Sequence, residues 1–136
     1  MKLRMLLLFV GILFVSACRQ ENLNEQHKVY LSNQGWEIKE LTEVETYILD
    51  IPGEMLSNYE ASGITFLREH LGEEVTQYSY KLKLKEKDIE GKRLKSVILE
   101  VDGQIIGGYG VLPSWDPGLF NLDDKERLIN EQMIKQ

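Results

Sequence analysis

The sequence predicts a small α+β domain, and three patterns carry that prediction. Leu94–Val101 and Gln104–Leu112 flank Asp102-Gly103, a two-residue turn of type I′ character between apolar runs. Tyr78–Lys85 alternates strictly, with Tyr78, Tyr80, Leu82 and Leu84 on one side and Ser79, Lys81, Lys83 and Lys85 on the other. From Glu54 the period changes to helical: Met55, Leu56, Tyr59, Gly63, Phe66, Leu67, His70 and Leu71 recur at three- and four-residue steps. The expected order is α-β-α-β-β-β, an antiparallel sheet of about four strands, including the hairpin, packed with one or two helices.

Taken in order, Leu23–Asn33 suits a helix with Leu23, Tyr30 and Leu31 on one face and Gly35 as its stop. Trp36–Ile51 is rich in β-formers and reads as one strand or two, broken by Ile51-Pro52 because proline donates nothing to a ladder. Gly63 sits on the apolar stripe of the second helix, where it ends or kinks that helix, and Gly72 is a second stop. Glu86–Arg93 is a polar loop, Pro113–Gly118 a loop holding Trp115, and Leu122–Lys135 a charged helix with Leu128 and Ile129 as its contacts.

The N-terminus sets the expected location. Lys2 and Arg4 precede an apolar run, Met5–Val15, whose eleven residues span only about 16 Å as a helix, half of a ~30 Å hydrocarbon core. That is the length of a cleaved signal sequence. Val15-Ser16-Ala17-Cys18 resembles the lipobox of bacterial lipoproteins, and Cys18 is the only cysteine in the chain. The resemblance implies a signal peptide over 1–17 and a diacylglyceryl thioether on Cys18, often joined in such lipoproteins by a further acyl chain on its amine; beyond this lipid no cofactor is expected. It also implies a place on the outer face of the plasma membrane. In a Gram-negative cell Arg19 would permit passage to the outer membrane. Two acyl chains hold a protein stably where one does not. Residues 18–26 then form a polar tether, 27–120 a single domain, and 121–136 the charged helix.

Removal of Met1–Ala17 leaves 119 residues, 14 basic against 22 acidic, a formal charge of −8. That balance argues against nucleic acid, which requires a basic footprint. With Cys18 acylated no disulfide forms, so stability rests on the apolar core.

Gly35-Trp36, Ile51-Pro52, Asn58-Tyr59, Gly63, Gly72, Tyr78-Ser79-Tyr80 and Ile106-Gly107-Gly108 stand in an order and spacing similar to those of a domain family of unknown function found in Gram-positive lipoproteins and secreted proteins. The resemblance covers Gly35–Phe120. This chain departs from it at Tyr109, where the family tends to place an aspartate, and in offering Gly118-Leu119-Phe120 for a terminal glycine-phenylalanine pair. No catalytic residue is implied.

The residues themselves offer no catalytic set. Ile106–Gly110 is glycine-rich, but a phosphate loop needs a helix after it, and Val111-Leu112 continue as strand. The glycines read as packing sites, with Gly108 and Gly110 expected on the face of Val97 and Leu99. His27 and His70, the only histidines, lie too far apart for a zinc spacing and read as structural or surface residues. No serine stands in a nucleophile elbow. Glu73-Glu74 and Asp123-Asp124 are adjacent pairs whose side chains diverge, so neither makes an acid/base dyad. Lys81, Lys83, Lys85 and Lys87 form a basic stripe: a solvated strand face, or a contact for an anionic wall polymer or protein. Trp115 caps the core or, less favoured, serves as a recognition aromatic.

The expected function is therefore that of a non-enzymatic binding or accessory module, membrane-bound through its lipid and engaging an envelope protein, peptide or wall polymer. The alternative is an inhibitor or regulator of an extracellular enzyme.

Overall fold

The structure is a computed structural model and describes residues 24–83, 87–115 and 118–135. Helix α1 (Glu25–Ser32) begins where the Asn24 side chain accepts hydrogen bonds from the amides of Gln26 and His27, at 3.0 and 3.3 Å. It ends at Gly35, whose φ of +88° lets the Trp36 amide turn back to the Leu31 carbonyl. The helix thus starts inside the segment expected to be tether.

Strand β1 (Ile38–Ile48) is continuous and carries two irregularities in its pairing with β2 (Glu74–Leu82). Between them lies α2 (Gly53–Ala61), stopped by Gly63 at φ +87°, then a single 3-10 turn at Arg68–His70 and a second positive-φ glycine, Gly72. Glycine therefore breaks the expected long helix into two short pieces, and Met55 and Leu71 of its stripe are exposed. Reciprocal bonds between Leu49 and the Gly72–Glu73 segment close this excursion onto the end of β1.

The sheet runs β1-β2-β4-β5-β6, all antiparallel, with β4 at Lys95–Val101, β5 at Gln104–Val111 and β6 at Leu119–Phe120. It is an α+β fold, with five strands in the main sheet and three α-helices among the described residues. Asp102 and Gly103 both have positive φ, as a type I′ turn requires. A bulge between Leu99 and Glu100, with Ile106 as the extra residue on β5, then shifts the register, so Val97 faces Tyr109 and Ile98 faces Gly108. Gly108 and Gly110 consequently lie on the face of Ile98 and Ser96, not that of Val97 and Leu99.

Both faces of the sheet are covered. On one, Tyr80, Leu82, Ile98 and Phe120 pack with Leu31 of α1, Trp36 and the C-terminal Leu122, Leu128 and Ile134. On the other, Val75, Val97, Leu99 and Tyr109 pack with Leu56 of α2, Ile64 and Leu67. Five consecutive residues of β4, Ser96–Glu100, are buried as a result.

The C-terminal helix is shorter than expected. A 3-10 turn at Leu122–Asp124 leads into α3 (Lys125–Asn130), and Gln132 at φ +59° turns the chain into β7 (Ile134–Lys135). Strand β7 pairs with β3 (Lys87–Asp88), a two-residue strand inside the segment expected to be loop. Leu128 is buried and Ile129 packs against the core, as their apolar character predicts.

Candidate functional site

The residues singled out from sequence do not converge. Cys18 and Lys85 lie outside the described residues. Lys81 and Lys83 point away from the Tyr80–Leu82 core face, and β1 answers them with acids. Lys81 Nζ lies 3.4 Å from Glu40 Oε1, its register partner, and Lys83 Nζ lies 3.0 Å from Glu37 Oε2. Lys83 also borders a shallow groove with Lys28, Ser32 and Trp36. Trp115 is 42 % exposed and belongs to neither core cluster, so the expected buried cap is not formed; Trp36 and Phe120 are the large aromatics buried in the core.

Both histidines are held by local partners. His27 is wholly buried between Tyr80, whose Oη lies 2.5 Å from Nδ1, and Glu100, which bonds Nε2. Both ring nitrogens of His27 are thus engaged within the protein. His70 pairs with Glu73 at 2.6 Å. Among the described residues, no serine hydroxyl bonds a histidine, and no group of three or more His, Cys, Asp or Glu is placed to hold a metal ion. Nor is any helix among them long and apolar enough to cross a membrane.

The glycine run of β5 serves packing. Phe66 lies over Gly107, Phe120 over Gly110, and Gly108 faces the Val97 carbonyl oxygen, Leu122 and Tyr30. The run continues as strand to Val111, with no helix behind it.

A different cluster forms a concave site. On the α2 side of the sheet, a cavity of about 90 Å³ lies between the end of β1, the turn after it, α2 and β5. Three tyrosines border it: Tyr47 from β1, Tyr59 from α2 and Tyr109 from β5. The Tyr59 and Tyr109 rings meet edge to face at 5.3 Å, and Tyr47 Oη donates to Gln77 Oε1 at 2.5 Å. Burial pushes the Tyr109 and Tyr47 phenols above their ordinary range, so both remain neutral at physiological pH. Leu49, Leu67 and Leu99 supply apolar lining, and Asp50 is the charged group on the wall.

The charge around this cavity has one sign. Asp50 is exposed and has no hydrogen-bond or ion-pair partner among the described residues. Glu45 stands across from Gln77, and a hydrogen bond shared with Glu43, reinforced by repulsion from that charge, holds the Glu45 carboxyl above its ordinary value. No lysine or arginine lines the cavity. Arg68, next to Leu67 in the chain, is committed to Glu60 through bonds of 3.0 and 2.6 Å.

Sequence reasoning missed this cluster because its members come from separate segments and follow no motif. Comparison with protein-family models, curated proteins and solved structures found no match.

Proposed function

We propose that the chain is a lipid-anchored extracytoplasmic binding module without catalytic activity of its own, held by Cys18 at the outer face of the plasma membrane. The observation that carries this reading is Val15-Ser16-Ala17-Cys18, with the sole cysteine following a basic start and a short apolar run. The landmarks of Gly35–Phe120 read from the sequence as resembling a family of Gram-positive lipoproteins and secreted proteins are consistent with that reading, although no family model matches the chain. Two features of the folded part support a binding role: the tyrosine-bordered cavity, and Trp115, an exposed aromatic of the kind that anchors interfaces. An envelope protein, peptide or wall polymer is the partner class, with Lys81, Lys83 and Lys85 available as secondary contacts.

Metabolic labelling with palmitate tests the anchor. The full chain is expected to incorporate label and fractionate with membranes, and Cys18→Ser to do neither. Equal labelling of the two, or none in either, would overturn the anchored reading. Crosslinking in intact cells, with Cys18→Ser as control, then identifies the partner.

A further inference from the structure

We propose that the cavity bordered by Tyr47, Tyr59 and Tyr109 receives an organic ammonium group. The inference deepens the binding reading above and is independent of the lipid anchor.

Three observations lead to it. The first is size. About 90 Å³ equals roughly three waters' share of liquid volume, far below the several hundred Å³ that enclose a whole cofactor. Such a space admits a headgroup, with the remainder of the ligand outside. The second is the lining. Tyrosine rings carry negative potential on their faces and attract a cation within about 6 Å, most strongly where it is partly desolvated. Three such rings border this small space, beside the apolar side chains of Leu49, Leu67 and Leu99. The third is charge. Asp50 is a carboxylate on the wall with no partner among the described residues, and Glu45, exposed across from the lining residue Gln77, adds a second acid beside it. A cation is favoured by these charges, whereas an anion would meet them with no lysine or arginine on the lining.

Shape and sign together select an alkylammonium over a bare metal ion. A bare metal ion is ordinarily held by several ionised or imidazole ligands, and among the described residues no group of three or more His, Cys, Asp or Glu comes together. Hydrocarbon on a methylated or alkyl ammonium matches the leucines, and its charge matches the rings and Asp50. The group comes from a free amine or from the side chain of a lysine-bearing protein.

Titration of the full chain in maltoside micelles, which contain no ammonium, tests the proposal by saturation-transfer NMR. Tetramethylammonium is expected to bind saturably in the millimolar range, with tert-butanol, a neutral molecule of similar bulk, at least tenfold weaker. Asp50→Asn changes an exposed residue and preserves packing, and should weaken binding fivefold or more. Tyr59→Leu keeps apolar bulk, removes a ring and should do the same. Displacement of tetramethylammonium by a lysine-bearing peptide would assign the group to a protein, and displacement only by small free amines to a metabolite. No saturable binding, equal binding of tert-butanol, or full affinity in both variants would overturn the proposal. Palmitate labelling reports separately on Cys18, so failure of either reading is seen without the other.

Discussion

Asp88 and Ser96 are both buried polar residues, and substitution should move stability in opposite directions. Asp88 Oδ1 accepts from the amides of Glu90 and Lys92 at 2.9 and 2.8 Å. Its Oδ2 accepts from the Ser114 amide at 3.0 Å and lies 2.5 Å from Ser114 Oγ. The carboxylate therefore pins the Glu90–Lys92 turn to the loop after β5. Asp88→Ala would leave three amides without their acceptor and should cost about 2–4 kcal/mol. Ser96 Oγ is the one buried side-chain polar atom among the described residues with no hydrogen-bond partner. Ser96→Ala removes an unpaid desolvation, so it should be neutral or stabilise by about 1 kcal/mol. Urea denaturation of the two variants checks both; a destabilised Ser96→Ala would mean the hydroxyl has a partner, such as a buried water.

At the scale of elements, β5 depends on absent side chains. A Cβ on Gly108 would approach the Val97 carbonyl oxygen to 2.8 Å, Leu122 to 3.2 Å and Tyr30 to 3.3 Å. The first neighbour is sheet backbone and cannot swing aside. Gly108→Val should therefore destabilise by about 2–3 kcal/mol through overpacking, and an unchanged melting temperature would refute this account. That these glycines pack was legible in the sequence, but the face was not. The Asp102-Gly103 turn predicts a hairpin, whereas the bulge at Ile106, opposite the Leu99–Glu100 step, has no residue signature and reverses the side taken by the β5 residues from Gly107 onward. Helix ends were legible where chemistry marks them, at Gly35, Gly63 and Gly72. The end of α3 was not, because Gln132 adopts positive φ without being glycine. Strands β3 and β7, at two residues each, are too short to show any period. The tyrosine cavity was hidden for another reason: strand pairing and helix placement, not sequence proximity, bring its members together.

For the whole molecule, buried ionisable groups set a pH window. Burial alone would raise the Asp88 carboxyl, but the hydrogen bonds from Ser114, Lys92 and Glu90 outweigh it and hold the group below its ordinary 3.8. A depressed carboxyl contributes stability above its unfolded value, and that contribution is lost as pH falls through the folded one. Tyr80 and Tyr109 behave conversely. Burial raises both phenols above 10.0, so their contribution is complete below that pH and is lost as pH rises through their folded values. The melting temperature should accordingly hold a plateau between roughly pH 5 and 10 and fall on either side. Tyrosinate absorbance provides the check: at least two of the six tyrosines should ionise only well above pH 10 or with unfolding, and six ordinary titrations would contradict the packing described.

The larger core draws on Leu31 and Trp36 near one end of the described chain and on Leu128 and Ile134 near the other. Strand β3, mid-chain, pairs with β7 near the other end of the described chain. A polypeptide emerging from a ribosome or a translocation pore in N-to-C order thus holds most of its sheet before it holds the residues that seal one face. Until Leu122, Leu128 and Ile134 have emerged, Trp36, Tyr80 and Leu82 lack part of their cover. Sealing of this face thus waits on a segment made long after the residues it covers, and a chain cut before Leu128 would be presented to quality-control proteases with its core open.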